Sequence, residues 1–372
     1  MGVPGVYVHV PFCARRCGYC DFNTYVLGRV GLSPGEWLSA TRAEIALAAR
    51  ELDARPLRTV FFGGGTPTLI GAHRLVAVLD ELRAVFGLAD DAEVTVEANP
   101  ETVTEPLLDE LLAGGVTRLS LGFQSADEPV LATLDRAHTP GQALECVDLA
   151  HRAGFRDVSL DLIYGTPGET PASWRATLDA ALSVRPEHIS CYALIVEPGT
   201  PLARRIAAGD LPAPDDDLMA DEYAMADETL AAAGMPWYEL SNWASPGHEC
   251  RHNLAYWQGA DWWGVGPGAH SHVGDRRWWN HKSPRRWASA LAQGQSPAAG
   301  GETIDDATAH EERILLELRL NTGLPIEVLT RDEASRITAL VDDGLVTDND
   351  AHIVLTRRGR LLADLVTRQL MG

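Results

Sequence analysis

Three cysteines crowd into one short stretch, Cys13-Ala-Arg-Arg-Cys17-Gly-Tyr19-Cys20, with the spacing Cys-x3-Cys-x2-Cys. Soft thiolates at such spacing suit an iron–sulfur cluster. Three ligands leave the fourth iron of a [4Fe–4S] cube open. An open iron can take the amino and carboxylate groups of S-adenosylmethionine (SAM), and one electron can then break the sulfonium bond to leave a carbon radical. The competing reading is zinc, which wants four ligands in a structural site; His9 could supply the fourth. The three-cysteine spacing, directly after an apolar strand, favours the cluster. Cys146, Cys191 and Cys250 are scattered and read as small apolar fillers.

A second group of residues sits where strands should end. Phe61-Phe62-Gly63-Gly64-Gly65-Thr66-Pro67-Thr68 closes a short apolar run. Glycines there let backbone approach a ligand closely, although a simple tight turn would explain them too. Thr66 could bond a carboxylate. Glu97 ends another run, Gln124 follows a third in Gly-Phe-Gln124-Ser, and Asp161 interrupts a fourth in Ser-Leu-Asp161-Leu-Ile-Tyr-Gly. An acid inside a buried strand is costly unless paired, so Asp161 is either part of a site or a core carboxylate held by an arginine. Arg136, in Leu-Asp-Arg136-Ala-His, reads alone as a solvated helix residue.

The elements that must position these groups are strands at 6–10, 59–62, 93–98, 118–122, 158–163 and 188–193. Helical patterns lie between them at 34–53, 72–86, 105–113, 139–153 and 171–183, with a further helix at 217–233. Six β-then-α units imply an α/β fold with a parallel sheet and right-handed crossovers. Six fall short of the eight that close a full barrel, so the expected shape is a partial, open (β/α)6 barrel over 1–240. Residues 241–372 are expected to hold an irregular aromatic segment, 241–287, and a winged-helix-like α+β tail. The tail reads helix 307–320, helix 333–343, hairpin 345–355 and helix 357–370.

The chain has 372 residues and a net charge of −21, with Lys282 its only lysine. Such an acidic surface repels phosphate backbones, which argues against nucleic-acid binding and makes the winged-helix tail a packing module. No 18-residue apolar run is present. The start of the chain shows no positive n-region and no myristoylation spacing after Gly2, so a cytoplasmic protein is expected.

Taken in order, Tyr7-Val-His9-Val-Pro11-Phe12-Cys13 with Cys17 and Cys20, then Gly-Gly-Gly-Thr-Pro-Thr, Gly-Phe-Gln-Ser and Asp-Leu-Ile-Tyr-Gly resemble the radical SAM coproporphyrinogen III oxidase family across nearly the whole chain. The resemblance implies a [4Fe–4S] cluster on Cys13, Cys17 and Cys20. It also implies SAM contacts at Tyr7, Gly64 and Glu97. It further marks Tyr19, Gly65, Thr66, Gln124, Arg136 and Asp161, the set that surrounds a second SAM in the oxidase.

Two departures from the oxidase stand out. The oxidase carries a further cysteine where this chain has Phe22, and it carries a long extension before strand one, which here starts at about residue 6. Both are similar to the haem-chaperone branch of the family, which binds haem as cargo and delivers it to acceptor proteins, membrane-associated ones included. That branch has a His-Asn-x-x-Tyr-Trp motif, matched here by His252-Asn253-Leu-Ala-Tyr256-Trp257. Its neighbourhood, 241–287, holds seven of the ten tryptophans and five of the twelve histidines. Flat aromatic walls and an imidazole ligand are what a haem site needs. The alternatives are an aromatic wedge with His252 merely satisfied, or Cys250 or His248 as the ligand. As a function, oxidative decarboxylation of coproporphyrinogen III stands against haem delivery.

Anaerobically reconstituted protein should hold four iron and four sulfide per chain. Cys13→Ala, Cys17→Ala and Cys20→Ala should each lose them. Stoichiometric zinc with no iron uptake, measured by elemental analysis, would defeat the cluster reading.

Overall fold

The computed structural model describes residues 4–53 and 55–372; the Gly2 position and residue 54 lie outside it. Six parallel strands form the frame: β1 (Gly5–Val10), β2 (Leu57–Gly64), β3 (Leu88–Ala98), β4 (Arg118–Gln124), β5 (Asp157–Tyr164) and β6 (His188–Ala193). They pair in chain order, as successive right-handed crossovers require. The crossovers are α1 (Pro34–Glu51), α2 (Ala72–Phe86), α3 (Glu105–Gly114), a short α4 (Glu128–Thr133) with α5 (Pro140–Ala153), and α6 (Pro171–Ser183). A capping box between Ser33 and Glu36 starts α1, and one between Thr170 and Ser173 starts α6. After β6 come α7 (Pro201–Ala207) and α8 (Asp216–Ala232). Neither α4 nor α7 is foreseen in the sequence, because six or seven residues are too few to show a helical period.

The strands alternate faces. Val6, Val8, Val60, Phe62, Val94, Val96, Leu119, Leu121, Val158 and Leu160 point outward into the helices and are almost fully buried. The other face carries Tyr7, Thr59, Glu93, Thr95, Glu97, Arg118, Ser120, Ser159, Asp161, His188 and Ser190. A closed barrel would fill that space with aliphatic layers. Here it is polar, and therefore built for ligands.

The segment 241–287 is not irregular. It adds β8 (Asn242–Ala244), paired with β6 and with β7 (Trp237–Glu239), to one edge of the sheet. It adds α9 (Arg251–Trp257), then β9 (Trp262–Val265), β10 (His270–Val273) and β11 (Arg276–Asn280), followed by α10 (Pro284–Ala292) and β12 (Ala298–Thr303). Strand β9 pairs in parallel with β1. The resulting 12-stranded sheet runs β12-β11-β10-β9-β1-β2-β3-β4-β5-β6-β8-β7. A two-residue turn, Gly274-Asp275, joins β10 and β11, with Gly274 at φ +62°. The expected boundary at 240/241 thus falls inside one sheet, and Trp243, Trp263 and Trp287 belong to the barrel's core.

The tail has its own core of Ile314, Leu318, Ile337, Leu340, Ile353, Val366 and Leu370. Its elements are α11 (Asp306–Glu317), β13 (Leu324–Pro325), α12 (Arg331–Ala334), α13 (Ile337–Asp342), β14 (Val346–Asp348), β15 (His352–Leu355), α14 (Arg357–Leu361) and α15 (Ala363–Met371). The expected order of helices and hairpin is present, with β13 added to the hairpin as a third strand. The module docks on α8. Arg360 donates to both oxygens of Asp227, at 2.8 and 2.6 Å, and lies 4.4 Å over the Trp237 ring. Both partners are buried.

Asp227 also accepts from Arg357 Nε at 2.9 Å and Trp243 Nε1 at 3.1 Å, so losing Arg360 does not strand it. Arg360→Ala should therefore lower the unfolding free energy by about 1.5–3 kcal/mol, the worth of hydrogen bonds to a charged group, and Asp227→Leu with Arg360→Met should recover part of it. Unchanged unfolding of Arg360→Ala would show that the pair does not hold the module.

Candidate functional site

The three cysteines occupy the loop after β1. Phe12–Cys13 pairs in parallel with Tyr25–Val26, which folds that loop back over the mouth of the barrel. Cys13 is buried, and Cys17 and Cys20 are half-buried. Burial pushes the Cys13 thiol up to about 11, with the Thr24 and Thr66 hydroxyls working against it. A thiol placed so becomes a thiolate ligand only when a cation is bound. Arg136 Nη1 donates to Cys17 Sγ at 3.4 Å. His9 is not a fourth ligand. Its Nε2 bonds the Asn23 carbonyl at 3.0 Å and its Nδ1 bonds the Tyr7 hydroxyl at 3.1 Å. The donor set therefore fits a three-thiolate cluster, which when bound supplies one electron to a ligand on its open iron.

The glycine turn is stitched to this loop. Gly65 N–H donates to Val10 O at 2.8 Å, and Thr66 N–H donates to Phe12 O at 2.7 Å. A Cβ on Gly65 would lie 2.4 Å from Phe12 O, and one on Gly64, which sits at φ +109°, 2.4 Å from the His9 ring. Close backbone approach thus accounts for both glycines. Gln124 also has a positive φ, +67°, where the β4–β5 register shifts, so the strand end turns at the mouth.

One cavity of about 490 Å³ gathers Cys13, Cys17, Cys20, Tyr19, Gly64, Gly65, Glu97, Gln124, Arg136 and Asp161. Thr66 is buried, its hydroxyl accepting from Asn99 Nδ2 at 2.8 Å, and Tyr7 lies deeper. Arg136 is not a solvated residue. Its Nη2 donates to Asn99 Oδ1 at 2.7 Å and to Gly122 O at 3.0 Å. Nor is Asp161 a core acid paired with arginine. Ser120 Oγ donates to it at 3.1 and 3.2 Å, and burial holds its pKa at about 6. Burial first, then the charge of Asp161, raises Glu97 to about 8, while the Gly64 N–H at 3.1 Å opposes the shift.

Below this cavity the barrel floor is closed by α9. Glu93, which the sequence reading passed over, accepts the backbone N–H groups of Arg251 at 3.0 Å and His252 at 2.9 Å, and the Nε of Arg118 at 3.3 Å. His252 is buried. It stacks on Phe61 with ring centroids 5.2 Å apart. Its Nδ1 bonds Thr59 Oγ1 at 2.8 Å and its Nε2 bonds Tyr256 Oη at 2.9 Å. Burial pushes its pKa down to about 3. Cys250 is buried against Glu93, and His248 Nδ1 bonds Asp157 at 2.7 Å. His252 thus has both ring nitrogens engaged and Cys250 is buried, while His248, whose Nε2 has no hydrogen bond among the described residues, lines neither the mouth cavity nor the inner one.

Tyr256 and Trp257, by contrast, line a second and larger cavity of about 1120 Å³. It lies between α9, the β9–β11 sheet extension, α11 and the cluster loop, with Trp262, His270 and His272 also in its wall. His252 belongs instead to a small inner cavity of about 140 Å³.

Comparison with known proteins decides the family. The Radical SAM superfamily profile matches residues 7–181, and the HemN C-terminal domain profile matches 304–362. The chain is 52% identical over 369 residues to a "Heme chaperone HemW" of Mycobacterium tuberculosis, covering 99% of this chain and 95% of that one. The chain belongs to the HemW family of radical SAM proteins. The Escherichia coli HemW is 37% identical over 72% of the chain and 70% of its own length. The fold is also that of the coproporphyrinogen III oxidase HemN of Escherichia coli. The TM-score is 0.85 at 24% identity, covering 99% of this chain and 90% of that one. Membership in this family implies the [4Fe–4S] cluster and SAM, which the thiols and the mouth cavity are suited to hold.

As a partner for the ammonium of SAM, Glu97 would accept far more strongly ionised than protonated. Its raised pKa means that SAM affinity should climb as pH rises from 6 to about 8.5, with a midpoint below 8 because the ligand's positive charge favours the carboxylate. Glu97→Gln should flatten the profile and weaken binding about tenfold at pH 8, with iron content unchanged. An identical pH profile in the variant, by equilibrium dialysis, would remove Glu97 from the site.

Proposed function

We propose that this protein is a haem chaperone with a radical SAM core, which takes haem into the large cavity and passes it to acceptor proteins. The observation that carries the reading is the cavity itself. It holds about 1120 Å³, lies against the cluster loop and has Tyr256, Trp257 and Trp262 in its wall. Those rings suit a planar, largely apolar tetrapyrrole. The name of the relatives, haem chaperone, supports the same reading. Phe22, 60% exposed, lies at the junction of the large cavity with the mouth cavity, where the oxidase pattern has a cysteine.

The work divides along the sheet. The mouth residues hold cluster and SAM, with Glu97 and Arg136 setting charge there, while the sheet extension and α11 enclose the cargo away from water. No helix among the described residues is long and apolar enough to cross a membrane. All six cysteines are unpaired, in keeping with a reducing cytoplasm. Membrane-associated acceptors would then be met from the cytoplasmic side.

Haem added to pure protein should give a Soret band shifted from that of free haem, and loaded protein should restore activity to a haem-depleted haemoprotein. Coproporphyrinogen III with SAM and reductant should give no protoporphyrinogen. Its formation at enzymatic rates, followed by chromatography, would overturn the chaperone reading in favour of the oxidase.

A further inference from the structure

The reading of the large cavity as a haem site raises the question of which atom takes the iron. His252, the histidine of the motif, has both ring nitrogens engaged, by Thr59 and by Tyr256, and lies behind the Tyr256 ring. Ligation through its Nε2 would require the Tyr256 hydrogen bond to break and the Tyr256 ring to move aside, while Nδ1 stays on Thr59. Losing that bond without replacement is costly. The wall of the large cavity offers two other imidazoles. His270 and His272 stand two residues apart on β10, so their side chains leave the same face of the strand. Across the ladder His272 pairs with Trp262 of β9 and Arg277 of β11, and His270 pairs with Trp279. The His272 ring packs edge-on to Trp262 at 5.3 Å, and the His270 ring lies 5.8 Å from Trp279. Among the described residues no hydrogen bond engages a ring nitrogen of either histidine. His270 is exposed and His272 half-buried, both into the cavity.

Building on the chaperone reading, we propose that the cargo's iron is ligated by the β10 pair, His270 and His272, one at a time. Side chains at i and i+2 on a strand are roughly 6.5 Å apart and project the same way, so they cannot hold one iron from its two faces. The iron is then five-coordinate or completed by water, and its far face stays open to an acceptor's ligand. Transfer becomes a ligand exchange. The acceptor's donor atom bonds the iron on the open face, the histidine nitrogen leaves with its lone pair, and the oxidation state of the iron is unchanged. The flat ring of Trp262 adds apolar wall, and Trp279 packs beside His270 from the next strand. The rim arginines are already matched: Arg277 with Glu302 and Glu312, and Arg313 with Glu317. Iron ligation and apolar contact therefore carry the binding rather than propionate salt bridges, and affinity should change little with salt.

The test is a titration of anaerobically reconstituted full-length protein with ferric haem and, separately, with metal-free protoporphyrin IX, which has no iron to ligate. His270→Ala with His272→Ala should bind haem at least tenfold more weakly. Its Soret band should move toward that of unligated haem, and free imidazole should restore it. Protoporphyrin IX affinity, iron content and circular dichroism should match the parent. His252→Ala should keep the parent's Soret maximum. A double variant with the parent's Soret band and haem affinity overturns the assignment, whatever His252→Ala does. A parent protein that binds neither tetrapyrrole overturns the chaperone reading itself, which separates the two failures.

Discussion

Glu93 joins the two halves of this molecule. One buried carboxylate on an inward-facing strand position receives the guanidinium of Arg118 and the first backbone N–H groups of α9. A helix start leaves such donors without intrahelical partners, and a carboxylate also favours the positive end of the helix dipole. The same interaction closes the floor of an open barrel and fixes the rotation of α9. That rotation sets His252 and Tyr256, one turn apart on the same face of α9, edge to face, with His252 against Phe61 and Tyr256 reaching on to Trp262. The polar inner face of the barrel and the aromatic outer cavity follow from where that helix is pinned.

An open six-stranded barrel has two edges, and exposed edges invite unwanted pairing. This chain covers them unequally. On the β6 side two short strands, β8 and β7, finish the sheet. On the β1 side four strands continue it, and their face next to Tyr7 bears Trp262, His270, His272, Arg277 and Trp279. The covering of an edge is thus also the wall of a cavity. Tail and barrel meet through Asp227 and Arg360, and α11 completes the enclosure from the far side.

Much of this was legible in the residues. Strand β6 and helices α2 and α6 have the limits their apolar patterns suggest, because capping residues and glycines mark them. The cysteine triad and the strand-end group fall in one cavity, since parallel strands deliver their C-terminal ends to one rim. Three things were hidden. The extension strands carry Trp, His, Arg and Gly in place of aliphatic residues, so their alternation was masked, although the Gly274-Asp275 turn signalled a hairpin. Glu93 sits four residues before Glu97 and gives no local sign that its partners lie some 160 positions away. The engagement of His252 could not be foreseen either, because it depends on Thr59, 193 positions distant, and not on the motif alone.

Phe22 and Gly64 stand in the walls of both the mouth cavity and the large cavity. An occupant of one compartment that shifted either residue would change the affinity of the other compartment. Whatever factor the first imposed on the second's dissociation constant, the second would impose on the first, since the free-energy cycle closes. The shared partition is where such reciprocity between loading and emptying would arise.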